Sequence, residues 1–169
     1  VCSVDDPADL AAVDANCDGV DGVLGSTGFV YVRHDGMMTG NGDSPAAAVD
    51  LARGFVVANA RIATGIDVTL LLAEGAYMTS TPYQVAAGDG LLTLVGGYTT
   101  DFTGRGTSRS VVTSNDESAL LIGASEVTVD SVDLATAADR TTLTVTVVDS
   151  PATTLRNLTI TAGRGGDGV

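Results

Sequence analysis

The chain has 169 residues, 44% of them apolar but only 4% aromatic and none tryptophan, so one domain with a core of Val, Leu, Ile and Ala is expected. All eight basic residues are arginine, against 18 aspartates and three glutamates, for a net charge of -13. That balance argues against nucleic acid or an anionic membrane as partner, because both need positive surface. No run approaches the roughly 20 apolar residues of a membrane span.

Residues 1–27 form an acidic leader without periodicity. It holds both cysteines, Cys2 and Cys17, with no C-x-x-C spacing. An even pair in an Asp-rich chain reads as one disulfide, hence an oxidising compartment and a secreted or cell-surface protein. Closing the loop between them would contribute on the order of 3 kcal/mol; two free buried thiols are the alternative. No signal peptide precedes the leader, so a secreted chain would be met here in processed form.

Within the leader, Asp14-Ala15-Asn16-Cys17-Asp18-Gly19-Val20-Asp21-Gly22 alternates oxygen-bearing side chains and supplies a turn glycine. The spacing suits calcium, with Asp14, Asn16 and Asp18 as side-chain ligands, Val20 through its carbonyl, and Asp21 close by. It departs from an EF-hand where Gly25 stands in place of the closing bidentate Glu. Missing oxygens would then come from Asp5, Asp6 or Asp9. The competing reading is an Asx-rich turn with no metal.

Phe29-Val30-Tyr31-Val32 is a buried first strand. Asp43-Ser44-Pro45 then signals a helix over 45–63, with Ser44 as N-cap and Pro45 in the first turn. Ala48, Leu51, Ala52, Phe55, Ala58 and Ile62 recur on one face, leaving Arg53, Asn59 and Arg61 away from it. Gly65 stops the helix, while Gly54 inside it costs about 1 kcal/mol against alanine. His34, just past the first strand, reads as a loop residue.

After Gly65 the chain alternates short Val/Leu/Thr runs with Gly, Asp and Ser: 68–73, 91–95, 111–113, 120–122, 127–134, 143–148 and 155–161. Seven runs without helices between them predict an all-β architecture. Residues 127–137 align on 153–163, placing Val129 over Leu155, Val132 over Leu158 and Leu134 over Ile160. Ala76-Tyr77 and Gly97-Tyr98 recur after 21 or 22 residues. Stacked aliphatics at such a period mark a solenoid. A β-sandwich would need hairpin turns, and the one Asn-Gly, Asn41-Gly42, precedes the helix.

The succession of Phe29–Val32, a Ser-Pro-capped helix, Leu-Leu-Ala-Glu-Gly-Ala-Tyr (71–77) and Leu-Val-Gly-Gly-Tyr (94–98) resembles the opening of right-handed parallel β-helix proteins, pectate-lyase-like in fold. Such proteins occur on bacterial surfaces and in secretions, and the Asp-Ala-Asn-Cys-Asp-Gly leader is similar to one that precedes such domains. The resemblance implies a parallel β-helix over 28–169 whose N-terminal end is capped by the helix. It carries no single activity, because the fold hosts enzymes and structural proteins alike. The Gly-rich segment 163–169 reads first as the cut end of a longer solenoid, with a flexible tail or an edge that pairs with another chain as the alternatives.

Asp130 and Asp133 have the makings of a glycosidase pair. The alignment offers a plainer account: with Val129, Val132 and Leu134 inward, both acids point outward, and Asp130 faces Arg156 as a surface salt bridge. A lyase reading would rest on Arg140 or Arg156 as base, against the repulsion of polyuronates by net charge. No G-x-S-x-G elbow or phosphate loop is present, and the sequon Asn157-Leu158-Thr159, in a strand, reads as chance. The sequence thus predicts an extracellular structural or adhesive module, calcium-stabilised through the Asp14 loop and able to assemble end to end, whose partners are other copies or a cell-surface polysaccharide. A carbohydrate-active β-helix is the alternative. A groove lined by Arg and clustered Asp would favour that enzyme; ladders of Thr, Ser and Asp would favour the structural module.

Overall fold

The computed structural model describes residues 2, 6, 14–20, 25–115, 118–123, 125–137 and 144–163. Among them the regular structure is mostly β, with a single α-helix. The strands are β1 (Phe29–Met37), β2 (Val68–Ala73), β3 (Gly75–Thr79), β4 (Tyr83–Val85), β5 (Leu92–Tyr98), β6 (Ser110–Ser114), β7 (Leu120–Ile122), β8 (Val127–Asp130), β9 (Val132–Thr136), β10 (Val145–Val147), β11 (Thr153–Arg156) and β12 (Ile160–Thr161). Every ladder between these strands is parallel.

Three sheets result, ordered β1-β2-β5-β8-β11, β3-β6-β9-β12 and β4-β7-β10. The chain visits them in rotation: β2, β3 and β4, then β5, β6 and β7, then β8, β9 and β10. Each circuit lays one strand beside its predecessor in each sheet. Alternate side chains on a strand point to opposite faces, so each sheet sends apolar rows inward. Val30, Leu70, Leu94, Val129 and Leu155 form one such row on the first sheet. Tyr77, Val112, Leu134 and Ile160 form another on the second. Full burial of one such side chain is worth about 1.5–3 kcal/mol.

The alignment of 127–137 on 153–163 is borne out by the pairs Val129–Leu155 and Leu134–Ile160. The recurrence of Tyr77 and Tyr98 is not a register. Tyr77 pairs with Val112 inside the second sheet, whereas Tyr98 pairs with Ala73 on the first. Circuit length varies, because Val68 pairs with Leu92 but Leu92 pairs with Val127. Two short strands, β3 and β4, escaped the sequence reading, and the run 127–134 is two strands broken at Ser131. There the backbone enters the left-handed region (φ 59°) and turns the chain from the first sheet to the second.

The helix, α1 (Leu51–Ile62), begins later than expected. Ser44 caps only a 3-10 turn at Pro45–Ala47, and Asp50 is the N-cap of α1, its Oδ1 accepting from Arg53 N at 2.7 Å. Between the two, Val49 bridges Val32 and Met37 of β1, which needs extended chain. Leu51, Phe55, Ala58 and Ile62 are buried as expected, but Ala52 is exposed and Val57 is buried in its place. Gly54 has a use: a Cβ there would sit 3.0 Å from Val32 Cγ2, so glycine lets the helix lie close on the sheet. Arg61 does not lie free. It donates to the carbonyls of Thr27 and Phe29 and pairs with Asp43. The helix α1 packs against β1, β2 and β4.

A second apolar cluster lies outside the strand circuits. Tyr31, Leu71, Ala73, Val95 and Tyr98 on the first sheet are covered by Val20, Ala48 and Phe102. The rings of Phe102 and Tyr31 meet in a T-shaped contact, 5.1 Å between centroids.

Candidate functional site

Outward positions on the first sheet form ladders of their own. One runs Thr69, Thr93, Thr128 and Thr154. The next runs Tyr31, Leu71, Val95, Asp130 and Arg156, changing from apolar to charged along the stack. At the corner beyond it, where the chain passes to the second sheet, the charged side chains of several circuits converge.

Asp130 faces away from the core, as predicted, and Arg156 Nε donates to its Oδ2 at 2.8 Å. The expectation of an exposed surface pair fails on the carboxylate side, since the Asp130 side chain is only 2% exposed. Ser131 Oγ and Asn157 Nδ2 both donate to Asp130 Oδ1, at 2.9 and 3.0 Å. Both donors sit in the left-handed region, which swings their side chains back over the acid. A buried carboxylate is tolerable only with such a full set of partners. Asn157, read from the sequence as a chance sequon, is one of them.

Asp133 is paired across the same corner. Arg109 Nη2 donates to its Oδ1 at 2.9 Å and Nε to Oδ2 at 3.3 Å, while Thr159 N donates to Oδ1 at 2.8 Å. Arg109 also donates to the Asn157 carbonyl. Glu74, one circuit earlier, accepts from Ser108 N at 2.8 Å. Arg105 donates to the Gly96 carbonyl and places its guanidinium 4.1 Å from the centre of the Tyr98 ring. Between these groups lies a cleft of about 200 Å³ lined by Gly97, Arg105, Thr107, Ser108, Arg109 and Ser131.

Electrostatics decides what this corner can do. Burial would raise the Asp130 carboxyl, but the bonds from Asn157 and Ser131 and the Arg156 charge outweigh it and hold the group below its usual range. The Arg109 hydrogen bonds hold Asp133 low as well, and Asp133 in turn raises Arg109. A glycosidase pair needs one carboxyl kept protonated as general acid, and a lyase base needs a lowered pKa. Asp130 and Asp133 are both lowered and Arg109 is raised. Hydrogen bonds and ion pairs at this corner link successive circuits, and Arg140, named with Arg156 as a candidate base, lies outside the described residues.

In the leader, Cys2 and Cys17 are disulfide-bonded. Asp14 accepts from Asp18 N and Gly19 N at 3.0 and 2.9 Å, Asn16 Oδ1 from Asp18 N at 3.0 Å, and Asp18 Oδ1 from Val20 N at 3.2 Å. The expected ligand oxygens thus turn onto the loop's own amides, as in a nest of Asx turns. Val20 has a further part, its side chain buried in the outer apolar cluster. Asp6 is buried and accepts from Ala15 N at 3.1 Å, whereas Asp5, Asp9 and Asp21 lie outside the described residues. Among the described residues no group of three or more His, Cys, Asp or Glu side chains has the arrangement of a metal site. His34 lies within β1 rather than in a loop, edge-on to Tyr77.

Arg105 and Arg109 escaped the sequence reading. Their signal was available: Gly-Arg-Gly-Thr-Ser-Arg (104–109) places two of only eight arginines in one short loop. Among the described residues no helix is long and apolar enough to cross a membrane. Comparison of the chain with protein-family models, curated proteins and solved structures finds no match.

Proposed function

We propose that this chain is a right-handed parallel β-helix working as a structural or adhesive module outside the cell. The rotation of the chain through three parallel sheets supports the coil, with α1 as its N-terminal cap. The disulfide supports an oxidising location. The observation that carries the structural role is the charged corner, where Asp130 and Asp133 are fully paired across circuits and shifted away from acid–base use. The threonine ladder agrees with it, whereas the cleft lined by Arg105 and Arg109 beside Asp130 and Asp133 is the observation that favours a carbohydrate-active β-helix instead.

A panel of neutral and acidic polysaccharides tests this reading. The expected result is no new reducing ends and no unsaturated products with any of them. Turnover that disappears in Asp133→Asn would overturn the structural reading in favour of a carbohydrate-active β-helix.

Calcium is a second element of the proposal. Asp14, Asn16 and Asp18 all turn into one loop, and carboxylates that accept amide bonds keep further lone pairs. These residues and the Val20 carbonyl would hold the ion, with the remaining oxygens of a six- to eight-ligand shell supplied from elsewhere. Calorimetric titration with calcium decides it: heat of binding together with a lower Tm in chelator is expected, and the absence of both removes the ion from the reading.

A further inference from the structure

The groove between α1 and the turn joining β3 to β4 differs from the other hollows of the molecule. Asp67, Asp89 and Glu126 line one of those, and Arg105 and Arg109 line the corner cleft. The groove has a volume of about 480 Å³, and none of the described residues lining it is charged. Phe55 and Val56 on α1 form one wall, with Met78, Pro82 and Tyr83 opposite. Val56 is 57% exposed and Met78 56%. The Phe55 and Tyr83 rings stack nearly parallel, 5.0 Å between centroids. Asn59 ties the walls together, its Nδ2 donating to the Gln84 carbonyl at 2.8 Å and its Oδ1 accepting from Ala86 N at 3.0 Å. The groove is therefore built before any ligand arrives.

Exposed Ser80, Thr81 and Gln84 also line it. A second hollow of about 190 Å³ shares Ala52, Met78 and Tyr83 with the groove and adds His34 and Asp50. Exposed apolar surface rimmed by polar groups marks a ligand groove, and the larger volume lies within the range of ligand sites.

The mixed lining selects the ligand. A lipid chain would set the hydroxyls and the amide against hydrocarbon. A polyanion would meet a chain of net charge -13 with no arginine in the groove to offset it. A cation would find more carboxylates at Asp67, Asp89 and Glu126. A sugar ring instead offers a face of C–H bonds to aromatic and aliphatic side chains, and a rim of hydroxyls to side-chain hydroxyls, amides and carboxylates. We propose that this groove binds a segment of neutral polysaccharide. Sugar faces rest on Tyr83, Met78 and Val56, while Ser80, Thr81, Gln84 and Asp50 bond the hydroxyls. The proposal rests on the adhesive reading above and supplies its contact.

Calorimetric titration of the full chain with hexamers of β-glucan, α-glucan, xylan, mannan and chitin tests it, with polygalacturonate as the acidic probe. Binding of at least one neutral hexamer and none of polygalacturonate is expected. Val56→Glu and Met78→Glu, both at half-exposed positions, should each weaken binding about tenfold or more with unchanged circular dichroism. No binding by any hexamer overturns the proposal, as does equal binding of polygalacturonate or indifference to both substitutions. Self-association, or partition onto phosphatidylcholine vesicles, that both substitutions abolish would assign the groove to a second copy or a membrane and overturn it too. Turnover lost in Asp133→Asn would sink the non-catalytic reading while leaving Val56-dependent binding in place, so the two fail separately.

Discussion

The outward row of the first sheet is buried in two different ways along its length. At Tyr31, Leu71 and Val95 it is apolar and is covered by Val20 from the leader and Phe102 from the long loop between β5 and β6. At Asp130 it is charged and is covered by hydrogen-bonding neighbours, Ser131 and Asn157, from the corners themselves. One backbone lattice therefore carries a hydrophobic lid over its early circuits and a polar staple over the later ones. Position in the lattice decides which way a side chain points; added chain and corner conformation decide whether it is wet.

The two halves should respond differently to substitution. The largest effect is expected at Phe102→Ala, which removes a fully buried ring from between Tyr31 and Tyr98. A loss of about 3–5 kcal/mol in denaturant unfolding is expected. A loss below about 1 kcal/mol would show that the outer cluster is no second core.

Next comes Asp130→Ala, which strips the acceptor from Ser131 and Asn157 and should cost about 1–3 kcal/mol. Arg156→Ala should cost less than Asp130→Ala, because the guanidinium is largely exposed and Ser131 and Asn157 still donate to the buried acid. Equal costs at the two positions would make the pair an ordinary surface bridge and erase the contrast.

The smallest effect is on pH. Asp130 and Asp133 are both lowered in the fold, so the unfolded chain binds more protons as acid is added. Their contribution is complete above the unfolded carboxyl value of about 3.9 and is lost as pH falls below it through the folded values. Asp133→Asn should flatten the acid limb of a Tm-against-pH curve and leave the limb above about pH 5 in place. An unchanged acid limb would mean that Asp133 does not feel Arg109.

The same contrast explains what could be read from the sequence. The last circuits align because 127–137 and 153–163 match without insertion, so Val129–Leu155 and Leu134–Ile160 were legible as stacked pairs. The earlier circuits were not, because the loop carrying Phe102, Arg105 and Arg109 lengthens one of them, and equal spacing of Tyr77 and Tyr98 pointed to the wrong partners. The outward direction of Asp130 followed from alternation. Its burial did not, because that depends on Ser131 and Asn157 adopting a left-handed backbone, which apolar patterning does not encode. The oxygens of the Asp14 loop were legible in the sequence, but the amides of Asp18, Gly19 and Val20 that they accept from were not, because those bonds depend on the loop's backbone conformation.

The corners of successive circuits turn at Gly75, Gly97, Ser131 and Asn157, all with positive φ. In the first two, glycine makes the bend from backbone freedom alone. In the last two the bend is held by side chains that share one acid. Positions 130, 131 and 157 therefore form a single heritable unit: a change at one alters what is tolerated at the others. Drift at this corner should proceed by paired replacements, and double-mutant cycles among the three should be strongly non-additive, while the glycine corners vary or persist one at a time.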